Sequence, residues 1–324
     1  MKISREKVAS LATLTGFHAD MVEKAVRLIN LLNTINTHPA LKGKLALKGG
    51  TALNLFIFDI PRLSVDIDLN YIGAGNLNEM QVERPKIEQA IQAVFSREDY
   101  NLKRMPDEHA GGKWRLGYQN AFGHPGNLEV DLNFMFRIPL WEITISESRL
   151  IGEYQSKNIP VLDINELAAG KLAALFSRHQ ARDIFDAREL LSYPGLDQKK
   201  LRLAFIVYGA MNRKDWRTVS IEDISFDLKE LEQMLLPVLN KNKIEQVTRS
   251  SVLFGEKLID ECRKKLTHWF PFSNNESAFL NAILERGEIK AELITKDLEL
   301  QNRISNHPML KWKSINVRKH FNLE

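Results

Sequence analysis

The sequence is poor in several features that would have settled its class at once. It has one cysteine, Cys262, in 324 residues. No intramolecular disulfide is therefore possible, no disulfide partner is expected, and a reducing, cytoplasmic setting is the natural one. No apolar run is long and uninterrupted enough to span a bilayer, so no membrane partner is expected either. The N-terminus, Met1-Lys2-Ile3-Ser4-Arg5-Glu6-Lys7, carries charge with no apolar stretch behind it, so a signal peptide is not expected. There is no internal repeat and no low-complexity segment. The five tryptophans form no stacking-platform motif and read as core or interface residues. The charge imbalance is also small: the formal net charge is +4, an excess too slight to identify a nucleic-acid partner. Basic residues thicken towards the end (Lys290, Lys296, Arg303, Lys311, Lys313, Arg318, Lys319), but a solvated helical surface explains that run as well as a polynucleotide does.

What remains is an ordinary globular composition, 44% hydrophobic and 27% charged, in a chain long enough for two domains or one large one. Residues 4–37 read as helical, with Ser4 as a cap and Val22, Ala25, Val26, Ile29 and Leu32 at a 3.6 period. Strands are expected at Leu45–Lys48, Ser64–Ile72, Tyr100–Met105, Lys113–Asn120, Leu128–Phe136 and Ile159–Leu162. The fourth and fifth of these read as a hairpin. Glu83–Phe95 reads as an amphipathic helix, and Asn165–Leu191 as one helix. Beyond about residue 195 the chain reads as almost purely helical. The expected fold is α+β: a small mixed or antiparallel sheet with flanking helices and a mostly helical C-terminal region. Three stretches follow from this order: N-terminal helices over 1–40, an α/β core over 41–162, and a helical region over 163–324.

The most informative stretch is Lys48–Leu69, K-G-G-T-A-L-N-L-F-I-F-D-I-P-R-L-S-V-D-I-D-L. Side chains alternate along a strand, so Ser64, Asp66 and Asp68 share one face while Val65, Ile67 and Leu69 share the other. Two carboxylates roughly 7 Å apart on an apolar backing are not required by core packing. They suit a divalent metal carried by a nucleoside triphosphate. Glu129-Val130-Asp131-Leu132 repeats the pattern, and Asp131 would join the pair if the two strands are neighbours. Three converging carboxylates repel unless cations lie between them. Gly49-Gly50-Thr51 supplies a turn whose N–H groups can approach phosphate, followed by a helix start and a hydroxyl.

This ordering resembles the nucleotidyltransferase fold used by DNA polymerase beta and its relatives. In detail it is closest to the AbiEii/AbiGii toxin family of bacterial type IV abortive-infection toxin–antitoxin systems. The resemblance rests on Lys48–Leu53 and Arg62–Leu69. It rests also on a second stretch containing Lys171, Ala174, Leu175, Arg178, Arg182, Asp183, Ile184 and Asp186, and together they cover about residues 40–195. It implies Mg²⁺-dependent nucleotidyl transfer from an NTP, GTP or another, with Asp66, Asp68 and Asp131 as metal ligands. It also implies a separately encoded antitoxin. Some relatives modify the 3′ end of tRNA and others are known for binding nucleotide, so the acceptor stays open between tRNA, another RNA and protein.

On one continuous helix, Lys171, Arg178, Arg182 and Asp186 would fall within an arc of about 60°. With the resemblance, that stripe reads as catalytic for Lys171 and Asp186 and as phosphate-binding for Lys171, Arg178 and Arg182, beside Gly49, Gly50, Thr51 and Ser64. Asp183 falls at the apolar margin and reads as a buried support. Two rivals stay open: kinase-like phosphoryl transfer, and nucleotide binding without catalysis.

Overall fold

The computed structural model describes residues 2–106, 110–248 and 250–323. The chain opens with α1 (Arg5–Thr15) and α2 (Ala19–Thr37). The Ser4 hydroxyl accepts from the Lys7 N–H to cap α1, and Gly16, at φ +72°, ends it. β1 (Leu45–Lys48) leads into α3 (Gly49–Thr51), which continues as a π-helical segment, Ala52–Ile57. Then come β2 (Asp66–Tyr71), α4 (Leu77–Arg97), β3 (Asn101–Arg104), β4 (Gly111–Gln119), β5 (Pro125–Asn133), β6 (Thr144–Ser146) and β7 (Ile159–Val161). The rest is helical: α5 (Ile164–Ser177), α6 (Ala181–Leu191), α7 (Gln198–Ala210), α8 (Leu228–Glu230), α9 (Lys241–Thr248), α10 (Ser251–Leu266), α11 (Asn274–Arg286), α12 (Leu298–Asn306) and α13 (Pro308–His320).

The architecture is the expected α+β one. All seven strands form one mixed sheet in the order β3-β4-β5-β2-β1-β7-β6. β2 pairs with β5, and β1 with β7, in parallel; the remaining pairs are antiparallel. One face is apolar. Leu45, Leu47, Ile67, Leu69, Trp114, Leu116, Val130 and Leu132 are all at most 5% exposed. Each large side chain so buried contributes about 1.5–3 kcal/mol relative to exposure. α4 covers this face, and Phe95 meets Trp114 edge to face at 5.9 Å. α2 lies on it too, with Arg27 stacked 4.3 Å from the Tyr118 ring.

The sheet, α1–α4 and α9 belong to one compact unit, residues 1–137, 143–162 and 236–249. The second unit comprises residues 138–142, 163–235 and 250–324. Residues 138–142 thus group with the second unit and residues 236–249 with the first. In the first unit, the Leu63 N–H donates to the Val238 carbonyl and the Lys241 N–H to the Gly16 carbonyl, each at 2.8 Å. The second unit is built on an aromatic cluster, with Phe205 within 5.1–5.4 Å of Phe176, Trp216 and Trp269. Among the described residues no helix is long and apolar enough to cross a membrane.

Two sequence expectations need correction. The carboxylate strand begins at Asp66, not Ser64, because Ser64 turns inward to bond Thr51. Residues 165–191 are not one helix. α5 ends at Ser177, and α6 starts at Ala181, whose N–H is capped by the Glu230 carboxylate from 49 residues away.

Candidate active site

The register of the sheet brings the carboxylates together. Asp68 is the direct partner of Asp131, and Asp66 of Glu129, across the parallel β2–β5 pair. Neighbouring strands lie about 4.8 Å apart, so four acidic side chains share one small patch of the polar face. Asp66, Asp68 and Asp131 are half-buried, neither sealed in the core nor fully solvated. Lys48, the β1 partner of Asp68, rises on the same face, with its ammonium 5.8 Å from the Phe136 ring. Among the described residues no three carboxylate, imidazole or thiol groups converge as a ready-made metal cage. The donor set fits a different use. Mg²⁺ takes one or two carboxylates and completes its octahedron with water and phosphate oxygens, so it needs adjacent carboxylates with solvent access rather than a closed cage.

The turn at Gly49 is built around Asp68. Gly49 has φ +71°, and a Cβ there would lie 2.1 Å from Asp68 Oδ2. Only glycine meets both demands, the left-handed backbone and the contact with the carboxylate. Thr51 is fully buried. Its Oγ1 lies 2.9 Å from Ser64 Oγ, and its hydroxyl donates to the Asp66 carbonyl. Both hydroxyls thus staple the turn to the first residue of β2. Asn54, also fully buried, donates from Nδ2 to the Gly50 carbonyl at 2.9 Å and fixes the helix behind it.

Nothing in the sequence singles out the cations beside this patch. Lys113 is the β4 partner of Asp131, and Arg115 of Glu129. Lys113 Nζ donates to Glu129 Oε2 at 2.9 Å. Burial works against the Lys113 ammonium, but Glu129, Asp66 and Asp131 outweigh it and hold its pKa above the ordinary lysine value. Burial likewise works against the Glu129 carboxylate, and its bond to Lys113 outweighs that and holds it below the usual range. Alternating charge on a hairpin is the ordinary solvent-facing pattern, so the signal appears only once the strand register is known.

The second motif does not lie on one continuous helix. Lys171 is buried, and its ammonium sits 2.8 Å from Asp183 Oδ1 and 2.9 Å from Asp186 Oδ2. Asp183 is 2% exposed and Asp186 fully buried. Arg178, which is exposed, adds a 2.8 Å bond from Nε to Asp183 Oδ2. Burial would raise the Asp183 carboxyl, but Lys171 and Arg178 more than offset it and hold it below its usual range. Breaking the helix after Ser177 folds α6 back so that Asp183 and Asp186 meet Lys171. A stripe drawn on one straight helix could not show that. Arg182 is half-buried on α6.

The family model for the nucleotidyl transferase AbiEii toxin of type IV toxin–antitoxin systems matches residues 30–264. Among solved structures the chain is similar to MenT4, a nucleotidyltransferase toxin from Mycobacterium tuberculosis H37Rv. The identity is 16%, the alignment covers 96% of this chain and 99% of that one, and the TM-score is 0.60. At that identity the likeness speaks to the fold. No curated protein sequence matches the chain.

Proposed function

This chain belongs to the nucleotidyl transferase AbiEii toxin family of type IV toxin–antitoxin systems, and from that premise we propose that it transfers a nucleotide from an NTP to an RNA acceptor with the help of Mg²⁺. The observation that carries this reading is the register pairing of Asp68 with Asp131 beside a glycine turn that admits no side chain. Asp66, Asp68 and Asp131 are the residues that would hold the metal. Mg²⁺, when bound, supplies charge neutralisation on the phosphate oxygens.

The chain's own groups do the rest. The N–H groups opening α3, from Gly49 to Thr51, point at the phosphates, and Gly49 lets Asp68 lie against them. Thr51 and Ser64 act as positioning residues that lock the turn to Asp66. Asp131, beside Lys113 of β4, takes the proton of the attacking hydroxyl in this reading. Lys171, Asp183 and Asp186 form an internal brace that fixes α5 on α6. Arg178, just past the end of α5, and Arg182, on α6, are retained as proposed phosphate ligands. The chain is read as acting in the cytoplasm and as answering to a cognate antitoxin.

Growth provides the test. Asp66→Ala or Asp68→Ala, expressed at wild-type level and with an unchanged melting temperature, should relieve the growth arrest caused by the wild-type chain. Undiminished arrest in those variants contradicts the reading.

A further inference from the structure

The polar face of the sheet continues beyond the carboxylates into a cationic rank. β4 presents Lys113 and Arg115 on this face, both exposed, beside Asp131 and Glu129. On the next strand the register shifts between Leu102 and Arg104, leaving Arg104 opposite Arg115. Such a bulge sets two residues, Lys103 and Arg104, against the single partner Arg115. The glycine at 117 agrees with this, since a Cβ there would lie 2.6 Å from Lys103 Cε, so the Lys103 stem crosses the same face. Four cations thus stand next to four carboxylates. Arg104 directly opposite Arg115 is a like-charge pairing that works against the sheet. Lysine on an edge strand guards against edge-to-edge aggregation, which accounts for β3. It does not account for Lys113 and Arg115, because β4 lies inside the sheet between β3 and β5. A groove of about 320 Å³ carries on past Lys103, lined by Asn101, Gly117, Gln119 and Asn127.

We propose that Lys103, Arg104, Lys113 and Arg115 seat the phosphodiester backbone of the RNA strand whose terminal hydroxyl is to be modified, and lead that terminus to Asp131. The proposal rests on the transferase reading above and adds where the acceptor lies. Cations two residues apart on a strand match the repeat of a charged single strand, and exposed arginines can fork onto successive phosphates. The Glu129–Lys113 bond keeps the rank from collapsing onto Asp66 and Asp131 while the acceptor is absent. The contacts are to backbone, so this face selects for charge and strandedness, not for sequence.

The test uses the full chain, a fluorescein-labelled single-stranded RNA oligonucleotide and anisotropy at several salt concentrations. Arg104→Gln combined with Arg115→Gln should weaken RNA binding roughly tenfold at low salt. It should also flatten the dependence of log K on log salt by about 1.4, for two lost phosphate contacts. Lys86→Gln, on α4 at the other face, should change neither. If the double variant folds poorly, Lys103→Gln with Arg104→Gln on the exposed edge reads the same quantities. An RNA affinity indifferent to these changes, or weakened equally by Lys86→Gln, overturns the proposal. NTP binding without RNA is measured in parallel. RNA held by this face in a chain that binds no NTP would overturn the transferase reading and leave the surface standing. NTP binding with an indifferent RNA affinity would overturn the surface alone.

Discussion

Gly49 is the residue on which the site turns, because its missing side chain is occupied space. Gly49→Ala would place a Cβ 2.1 Å from Asp68 Oδ2 at a φ of +71°. The expected cost is about 1–3 kcal/mol of stability, with transfer reduced more than tenfold as Asp68 is displaced, checked by thermal melts and initial rates. Asp68→Asn should behave in the opposite way. It removes one of two carboxylates in direct register, so stability should hold or rise while transfer falls at least 100-fold. Thr51→Val should cost about 1 kcal/mol by removing the hydroxyl's bond to the Asp66 carbonyl, and Thr51→Ser should restore most of it. Asp66, Asp68 and Asp131 were legible from sequence because a strand's alternation is rigid: two aspartates one residue apart must share a face. The inward turn of Thr51 and Ser64 was not, since a hydroxyl serves a phosphate or a carbonyl equally well and only the fold decides.

At the scale of elements, the pair α5–α6 is held by a buried ion cluster. Lys171→Met would remove the ammonium that Asp183 and Asp186 share, leaving Arg178 on Asp183, and should cost about 3–5 kcal/mol. The depressed Asp183 carboxyl contributes stability that is present above the unfolded value near 3.8 and is lost as pH falls through the folded one. Wild type and Asp183→Asn should therefore converge in urea midpoint below about pH 4. Glu166 on α5 works with the opposite sign. It is buried, accepting from the Leu140 N–H and the Tyr208 hydroxyl at 2.9 Å each, and burial pushes its carboxyl up to about 7. A raised carboxyl stabilises the fold fully below the unfolded value near 4.5 and loses that contribution as pH rises through 7. Across that window wild type should lose about 3 kcal/mol relative to Glu166→Gln, measured as diverging urea midpoints; parallel curves would contradict it. The break between α5 and α6 was hidden because residues 178–180 hold neither glycine nor proline. Its signal is the Glu230 cap, remote in sequence, together with the Lys171 pairing across the bend. The α4 and hairpin assignments succeeded because their apolar periods continue without such remote partners.

The whole molecule is two units whose chain is interleaved, and no single cut separates them. Residues 236–249 return to the sheet unit through the Leu63–Val238 and Gly16–Lys241 backbone bonds. A fragment ending at residue 162 should therefore lack a cooperative thermal transition, as followed by circular dichroism, whereas the full chain shows one. Such a return cannot be read from composition, because the 236–249 segment is as helical and as mixed in polarity as its neighbours. The family match over residues 30–264 includes residues of both units. The central claim is nucleotidyl transfer at the Asp66, Asp68 and Asp131 patch, and it is met most directly by incubating the full chain with Mg²⁺, total RNA and each NTP labelled at the α- or the γ-phosphate. α-Label is expected in the RNA fraction with one or more NTPs, with no γ-label in any acceptor and no product with Asp68→Asn. Transfer of the γ-label alone, or α-label transfer undiminished by Asp68→Asn, would contradict it.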